Sequence, residues 1–336
     1  MDQKLILIDG SSVLSSCFYG TVPKDYYKDR EQSLSKLLKT PDGVFTNGVY
    51  AMTRALVKII NQQQPSHLAV AWDVSRNTFR KALYPQYKAT RKETPEELKS
   101  QYILMQDFLR AANILQFMDW HYEADDFLGS LAKRFEDQIP VYIHTKDQDV
   151  LQLVTDNTRL WLRSEKIIQQ QENIPDGSIE FTPDLVKKVY GVNPSQIVDL
   201  KALVGDSSDN IPGVRGVGPK VATPLIQEYG TVENLYKALE GLSSKEQTAF
   251  KEHCKSIGIS RLPLKALLQG KESAILSKRL AKIFTGISAC SRLTLGQLEL
   301  RLDYVGFNSM CKKLQFKNIN IRSNAQTSDA EQAALF

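Results

Sequence analysis

The chain has 336 residues, 42% of them apolar, and a net charge of +5 from 43 basic and 38 acidic side chains. That is too long for one small core and enough for two domains or one large one. No apolar run approaches the roughly 20 residues of a membrane span, and the first nine residues are too short and too acidic for a signal peptide. Cys17, Cys254, Cys290 and Cys311 are scattered, with no CxxC pair and no nearby His partner. This excludes a zinc pattern and a disulfide framework, and it points to reduced thiols in a cytoplasmic protein.

Residues 4–8 form a short apolar run that reads as a central parallel strand and ends on Asp9-Gly10-Ser11-Ser12. Residues 21–43 are polar and read as a surface excursion. The apolar spacing of residues 49–60 predicts a helix, and residues 67–72 a second strand that ends on Asp73. Over residues 76–92, Arg76, Arg80, Lys81, Lys88, Arg91 and Lys92 alternate with Phe79, Tyr84 and Tyr87. A solvated basic loop is the plain reading of a charge run. Rings among the bases shift it toward single-stranded nucleic acid, where aromatics stack on bases and cations hold phosphates.

Pro95-Glu96-Glu97-Leu98 opens a further helix, to about residue 112, and residues 114–117 read as a third strand. That strand leads into Tyr122-Glu123-Ala124-Asp125-Asp126, three carboxylates within four residues at a helix start. Helix capping favours one or two acids there. A third adds repulsion that a hard divalent cation would relieve. Residues 140–145 form a fourth strand, followed by Lys146-Asp147-Gln148-Asp149 and a short helix from Val150. Residues 159–162 suggest a fifth strand.

Strands alternating with helices predict a parallel, doubly wound sheet, in which ligands bind beyond the carboxyl ends of the strands. Four of the strands are followed by acid: Asp9, Asp73, the turn at 123–126, and Asp147 with Asp149. Each acid singly is an ordinary helix cap, but all four on one rim favour a metal site. Past residue 180 the pattern changes. Thr182-Pro183-Asp184-Leu185 starts a helix, and Asp206 and Asp209 stand three apart, able to join the rim if their loop folds back. Gly213, Gly216 and Gly218, with Lys220 beside them, permit a hairpin that aims backbone amides at a phosphate; a plain glycine-rich helix connection is the alternative. With those nine acids set aside, the 43 basic residues exceed the remaining acids by 14, which suits a polyanionic substrate reaching metal ions. Residues 225–316 are helical and basic, and residues 323–336 read as a flexible tail.

These motifs, in this order, resemble the bacterial 5′-nuclease family, which comprises the 5′–3′ exonuclease domain of DNA polymerase I and its stand-alone flap-endonuclease relatives. The resemblance rests on Ile8-Asp9-Gly10-Ser11-Ser12, Trp72-Asp73, Phe79-Arg80, Tyr84, Tyr87-Lys88-Ala89-Thr90-Arg91, the turn at 122–126, Thr145-Lys146-Asp147-Gln148-Asp149, Gly205-Asp206-Ser207-Ser208-Asp209-Asn210 and the Gly213–Gly218 hairpin. It runs from Lys4 to about residue 320, and the stand-alone form is expected.

The resemblance implies a PIN-like α/β nuclease core over 1–180, with a helical arch around 76–100. It also implies a helix–three-turn–helix (helix-hairpin-helix) DNA-binding region over 181–322. Two Mg²⁺ ions, replaceable by Mn²⁺, are implied, the first on Asp9, Asp73, Glu123, Asp125 and Asp126. The second falls to Asp147, Asp149, Asp206 and Asp209. Lys88 and Arg91 match positions that grip the scissile phosphate, and Phe79, Arg80, Tyr84 and Tyr87 join them on DNA. Gly213, Gly216, Gly218 and Lys220 match the element that holds duplex backbone, in relatives with a monovalent cation such as K⁺. The implied substrate is DNA with 5′ ends, flaps or nicks, cut by a cytoplasmic, nucleoid-associated monomer. One departure is Ser16, where relatives commonly have an arginine. The rival readings are a PIN-type ribonuclease, which would share the rim, and a catalytically silent DNA-binding protein.

Overall fold

The structure is a computed structural model that describes residues 3–163, 171 and 174–321. Six strands form one sheet: β1 (Leu5–Asp9), β2 (His67–Asp73), β3 (Leu115–Asp119), β4 (Val141–Thr145), β5 (Thr158–Arg163) and β6 (Ser178–Phe181). Their order is β3-β2-β1-β4-β5-β6, parallel throughout except for β6, which runs antiparallel to β5. The chain first builds outward from β1 through β2 to β3. It then crosses to the other side of β1 to lay down β4, so the switch point lies between β1 and β4.

The sequence explains why β1 is central. All five of its residues are buried. Leu5 and Leu7 enter one apolar cluster while Ile6 and Ile8 enter another, as the two-residue period of a strand requires. β2 divides likewise, with Ala69 and Ala71 on the first face and Leu68, Val70 and Trp72 on the second. The small alanines face the helix Ala124–Phe135, which packs across β1 and β2. The second face is covered by the helices Gly10–Thr21, Asn47–Gln63 and Glu96–Ala111.

Behind the sheet the helices after residue 182 form a mostly helical body, including Ile197–Val204, Pro219–Tyr229 and Lys271–Ala281. One apolar cluster runs unbroken from Leu5 and Ile143 to Leu203, Leu225 and Leu267. The division expected at residue 180 therefore cuts through β6 and does not separate two cores. The chain also returns: Leu300 N–H donates to Ser66 O (2.9 Å), Asp303 N–H donates to Ala112 O (3.0 Å), and the helix Tyr304–Lys313 sets Phe307 edge-on to Phe108 at 5.2 Å.

Other expectations shift in detail. The excursion at 21–43 contains a short helix, Arg30–Ser35, and is pinned by buried Tyr26, whose hydroxyl donates to Glu97. The helical arch expected over 76–100 holds one short helix, Phe79–Leu83, then turns, then the start of Glu96–Ala111. The short helix expected from Val150 is a 3-10 helix, Gln148–Leu153. Residues 323–336, expected as a tail, lie outside the described residues. Among the described residues, no helix is long and apolar enough to cross a membrane.

Candidate active site

The carboxyl ends of β1, β2 and β4 and the start of the helix Ala124–Phe135 open into one cleft of about 1650 Å³. Asp9, Asp73, Glu123, Asp125, Asp147, Asp149 and Asp206 all line it, drawn from across two hundred positions of chain.

Asp9 ends β1 and caps the helix Gly10–Thr21, accepting from Ser12 N–H at 2.9 Å. Its other oxygen accepts the Thr145 hydroxyl at 2.7 Å. The chain turns this tightly because residue 10 is glycine: a Cβ there would lie 2.7 Å from Val70 Cγ1 and 2.8 Å from Trp72. Asp73 ends β2 and accepts Ala124 N–H at 2.9 Å, which ties β2 to the acidic helix start. Asp147 caps the turn after β4 and accepts Asp149 N–H at 2.8 Å. The Asp125 carboxylate takes no hydrogen bond from the described residues.

These four carboxylates feel one another. Burial, then the charge of Asp73, pushes Asp9 up to about 7. Burial and the charges of Asp147, Asp9 and Asp73 hold Asp125 well above the carboxylate range. Asp73 is raised by desolvation against the pull of Lys88, and Asp147 by desolvation against Lys201. Such shifts in a cleft mark a site whose charge awaits a partner. As they stand the acids do not close on a point: among the described residues, no three His, Cys, Asp or Glu are grouped tightly enough to hold an ion. The donor set still fits a hard divalent cation, since it is all oxygen and its repulsion is what such an ion relieves.

The other acids already have cations. Lys201, on the helix Ile197–Val204, bridges Asp149 and Asp206, reaching Asp206 Oδ2 at 2.7 Å. Burial opposes the charge of Asp206, but Lys201 and the Ser208 hydroxyl overcome it and lower its pKa to about 2. Glu123 accepts from Lys88 Nζ (2.9 Å) and the Tyr87 hydroxyl (3.1 Å). Asp209, 5% exposed, lies 3.1 Å from the same hydroxyl, whose single proton the two carboxylates share, and pairs with Arg91. Lys88 holds an uncommon left-handed backbone, φ +54°, with its N–H on Asp209 O at 2.8 Å. Burial works against its charge, and Glu123 and Asp209 more than restore it.

Several expected roles are corrected. Asp126 is fully buried: Oδ1 accepts Arg80 Nη2 (2.7 Å) and Phe284 N–H (2.8 Å), and Oδ2 accepts Arg80 Nη1 (2.8 Å) and Glu123 N–H (3.0 Å). Its lone pairs are spent, so no metal role remains for it. Arg80, 3% exposed, gives two further donors to Leu280 O and Lys282 O, has Nη1 3.5 Å from Glu123 Oε2, and cannot meet DNA. Tyr87, 3% exposed, has no free ring face for a base. Phe79 faces Tyr122 and Phe284 at 6.3 and 6.4 Å, and Tyr84 packs beside Tyr87 and Ile211.

Gly213 is buried, with its N–H on the Ser277 hydroxyl (2.9 Å) and its carbonyl accepting from Ser273 (2.6 Å). Its φ of +62° favours glycine, and a Cβ there would stand 2.4 Å from Gly205 N. Gly216, Gly218 and Lys220 stay at the surface. Ser16 lines the cleft, as does Arg163, whose Nη1 lies 3.8 Å from Cys17 Sγ. Sequence reasoning missed Lys201 and Thr145; a lone helix lysine and a strand-end threonine carry no signal by themselves.

Fold and site together define a class: an α/β protein with a carboxylate cleft at the switch point of a mostly parallel sheet. Residues 4–190 match the 5′–3′ exonuclease N-terminal resolvase-like domain, and residues 192–301 the 5′–3′ exonuclease C-terminal SAM fold. The chain belongs to the 5′–3′ exonuclease family. It is 37% identical over 299 residues to a 5′–3′ exonuclease of Halalkalibacterium halodurans, covering 88% of each chain. It is also 36% identical over 284 residues to DNA polymerase I of Bacillus caldotenax, covering 84% of this chain and 28% of that one. The chain thus spans about a third or less of the DNA polymerase I relatives it matches.

Among solved structures, T5 5′-exonuclease with bound divalent zinc superposes with a TM-score of 0.60 at 18% identity, covering 93% of this chain and 98% of that one. The catalytic core of Rad2 in complex with DNA substrate gives 0.50 at 13% identity, covering 94% and 89%. At these identities the likeness shows the fold.

Proposed function

We propose that this protein is a divalent-metal-dependent, structure-specific 5′ nuclease that hydrolyses phosphodiester bonds of DNA carrying 5′ ends, flaps or nicks. The observation that carries this reading is the group Asp9, Asp73, Asp125 and Asp147, four carboxylates that line one cleft and have raised pKa values. Membership of the 5′–3′ exonuclease family and the DNA-bound Rad2 neighbour support the substrate.

In this reading the four acids, with Glu123 beside them, would hold one Mg²⁺ or Mn²⁺, and Asp149 and Asp206, now bridged by Lys201, would hold a second. The ions would supply Lewis-acid activation of water and neutralise charge building on the phosphate. Lys88 and Arg91, held at the lip by Glu123 and Asp209, turn to the equatorial phosphate oxygens and stabilise them. Asp209 serves as their anchor. Gly216, Gly218 and Lys220 take the duplex backbone, with K⁺ beside the hairpin.

The test is cleavage of 5′-flapped, nicked and gapped DNA and of single-stranded RNA, with and without Mg²⁺. Flapped DNA should be cut only with the metal. Asp147→Ala should fold normally and bind DNA, yet lose more than the ~10–100-fold typical of outer-shell metal partners. Full activity in that variant, or cleavage of RNA alone, would overturn the proposal.

A further inference from the structure

The chain has three tryptophans, and they differ sharply in exposure: Trp72 and Trp161 are 0% and 1% exposed, Trp120 is 69% exposed. Trp120 follows Asp119, the register partner of Asp73 across β2 and β3, so it stands one residue beyond the acid rim. It lines the same cleft as the acids. The adjoining wall is the helix Glu96–Ala111, which presents Lys99, Tyr102, Ile103 and Gln106 along one helical face. Ile103 is 65% exposed there, while the Tyr102 hydroxyl is spent on Ser11 O at 3.3 Å.

A large ring and a branched aliphatic left open beside a charged cleft cost hydration free energy unless something flat and apolar covers them. The surroundings say what that is. Arg76 and Lys92 line the same cleft, and Lys92 stands over the Tyr27 ring at 5.7 Å. Of the acids on this side, Glu96 pairs with Lys99 at 2.6 Å and Asp119 lies 3.3 Å from His121 Nδ1, while Glu93 lines the cleft beside Lys92. A planar apolar face flanked by cations fits a nucleobase with its phosphates. Tyr87, the ring that the sequence offers for this task, is buried behind Glu123 and Asp209.

We propose that Trp120, which shares the cleft with exposed Ile103, is a stacking subsite for the unpaired base next to the phosphate held at the acid cleft, with Arg76 and Lys92 on the adjoining backbone. The inference rests on the nuclease reading above and assigns the unpaired strand a path along the β3 side of the cleft. Stacking of this kind strengthens binding about five- to 150-fold per base.

All three tryptophans emit, so a DNA-induced change is assigned to Trp120 when the Trp120→Phe variant lacks it. In EDTA, a single-stranded oligothymidylate should quench the wild-type emission, and a blunt duplex of equal length should do so far less. Trp120→Ala should weaken binding of 5′-flapped DNA about five- to 150-fold, more than binding of blunt duplex, and Trp120→Phe should retain most of the affinity. Circular dichroism checks the fold of both variants. A wild-type protein that cuts flapped DNA with its emission unquenched, or a Trp120→Ala variant that binds flapped DNA like wild type, overturns the subsite and leaves the nuclease reading intact. A wild-type protein that neither binds nor cuts DNA overturns both.

Discussion

At the scale of single residues, the carboxylates are sorted by what stands beside them. Asp206, partly exposed, has Lys201 and Ser208 and ionises easily, whereas Asp9 is buried, faces the charges of Asp73 and Asp147, and does not. The same sorting separates the bases of one loop. Arg80 is locked inside on Asp126, while Lys88 and Arg91 stand at the lip. Arg80→Ala should therefore behave as a stability mutant. It leaves a buried carboxylate without its cation, a loss of about 3–5 kcal/mol, which urea unfolding would register before any DNA-binding assay. A normal midpoint with weakened DNA binding would return Arg80 to the DNA surface. None of this was legible in the sequence, where Arg80, Lys88 and Arg91 are three cations in an irregular stretch without a period to say which faces inward.

At the scale of elements, the site is a product of strand ends. The rule that ligands collect beyond the carboxyl ends of parallel strands made Asp9, Asp73 and Asp147 legible, because each follows a short apolar run. The acidic turn was legible because a helix start tolerates its charge. What the rule cannot supply is the angle at which the first helix leaves β1. That depends on Gly10 lying against Val70 and Trp72. Gly10→Ala should force the helix off β2 at a cost of about 1–3 kcal/mol and move Asp9 with it. A thermal melt together with a Mg²⁺ titration checks both, and an unchanged melt would refute the close contact. β6 went unread because four residues after a long polar stretch are too few to show alternation. Lys201 went unread because its partners, Asp149 and Asp206, are assembled only by the fold.

At the scale of the whole molecule, the cleft sets how stability depends on pH. Asp9 titrates near 7 in the folded chain against an ordinary 3.8, so between those values the folded state binds more protons than the unfolded one. Stability without metal then falls as pH rises through that window. Asp206, lowered to about 2, works the other way, stabilising above 3.8 and losing that contribution only as pH falls toward 2. Metal-free protein should thus melt at a lower temperature at about pH 7.5 than at about pH 5, and Mg²⁺ should recover the difference at the higher pH. A melt independent of pH across that range would show that the four acids do not share a field.

The order of apolar runs and the acids that end them were determined by the sequence alone, because strand and helix periods and turn chemistry are local. Only the tertiary structure decided that the helix Tyr304–Lys313 returns to the apolar cluster on the second face of the sheet, where a Cβ on Gly306 would lie 1.9 Å from Ala111 O. It alone set Tyr87 inside and Trp120 outside, and gave each acid its partner or left it without one. Burial and charge pairing arise between residues far apart in the chain, and no local pattern encodes them.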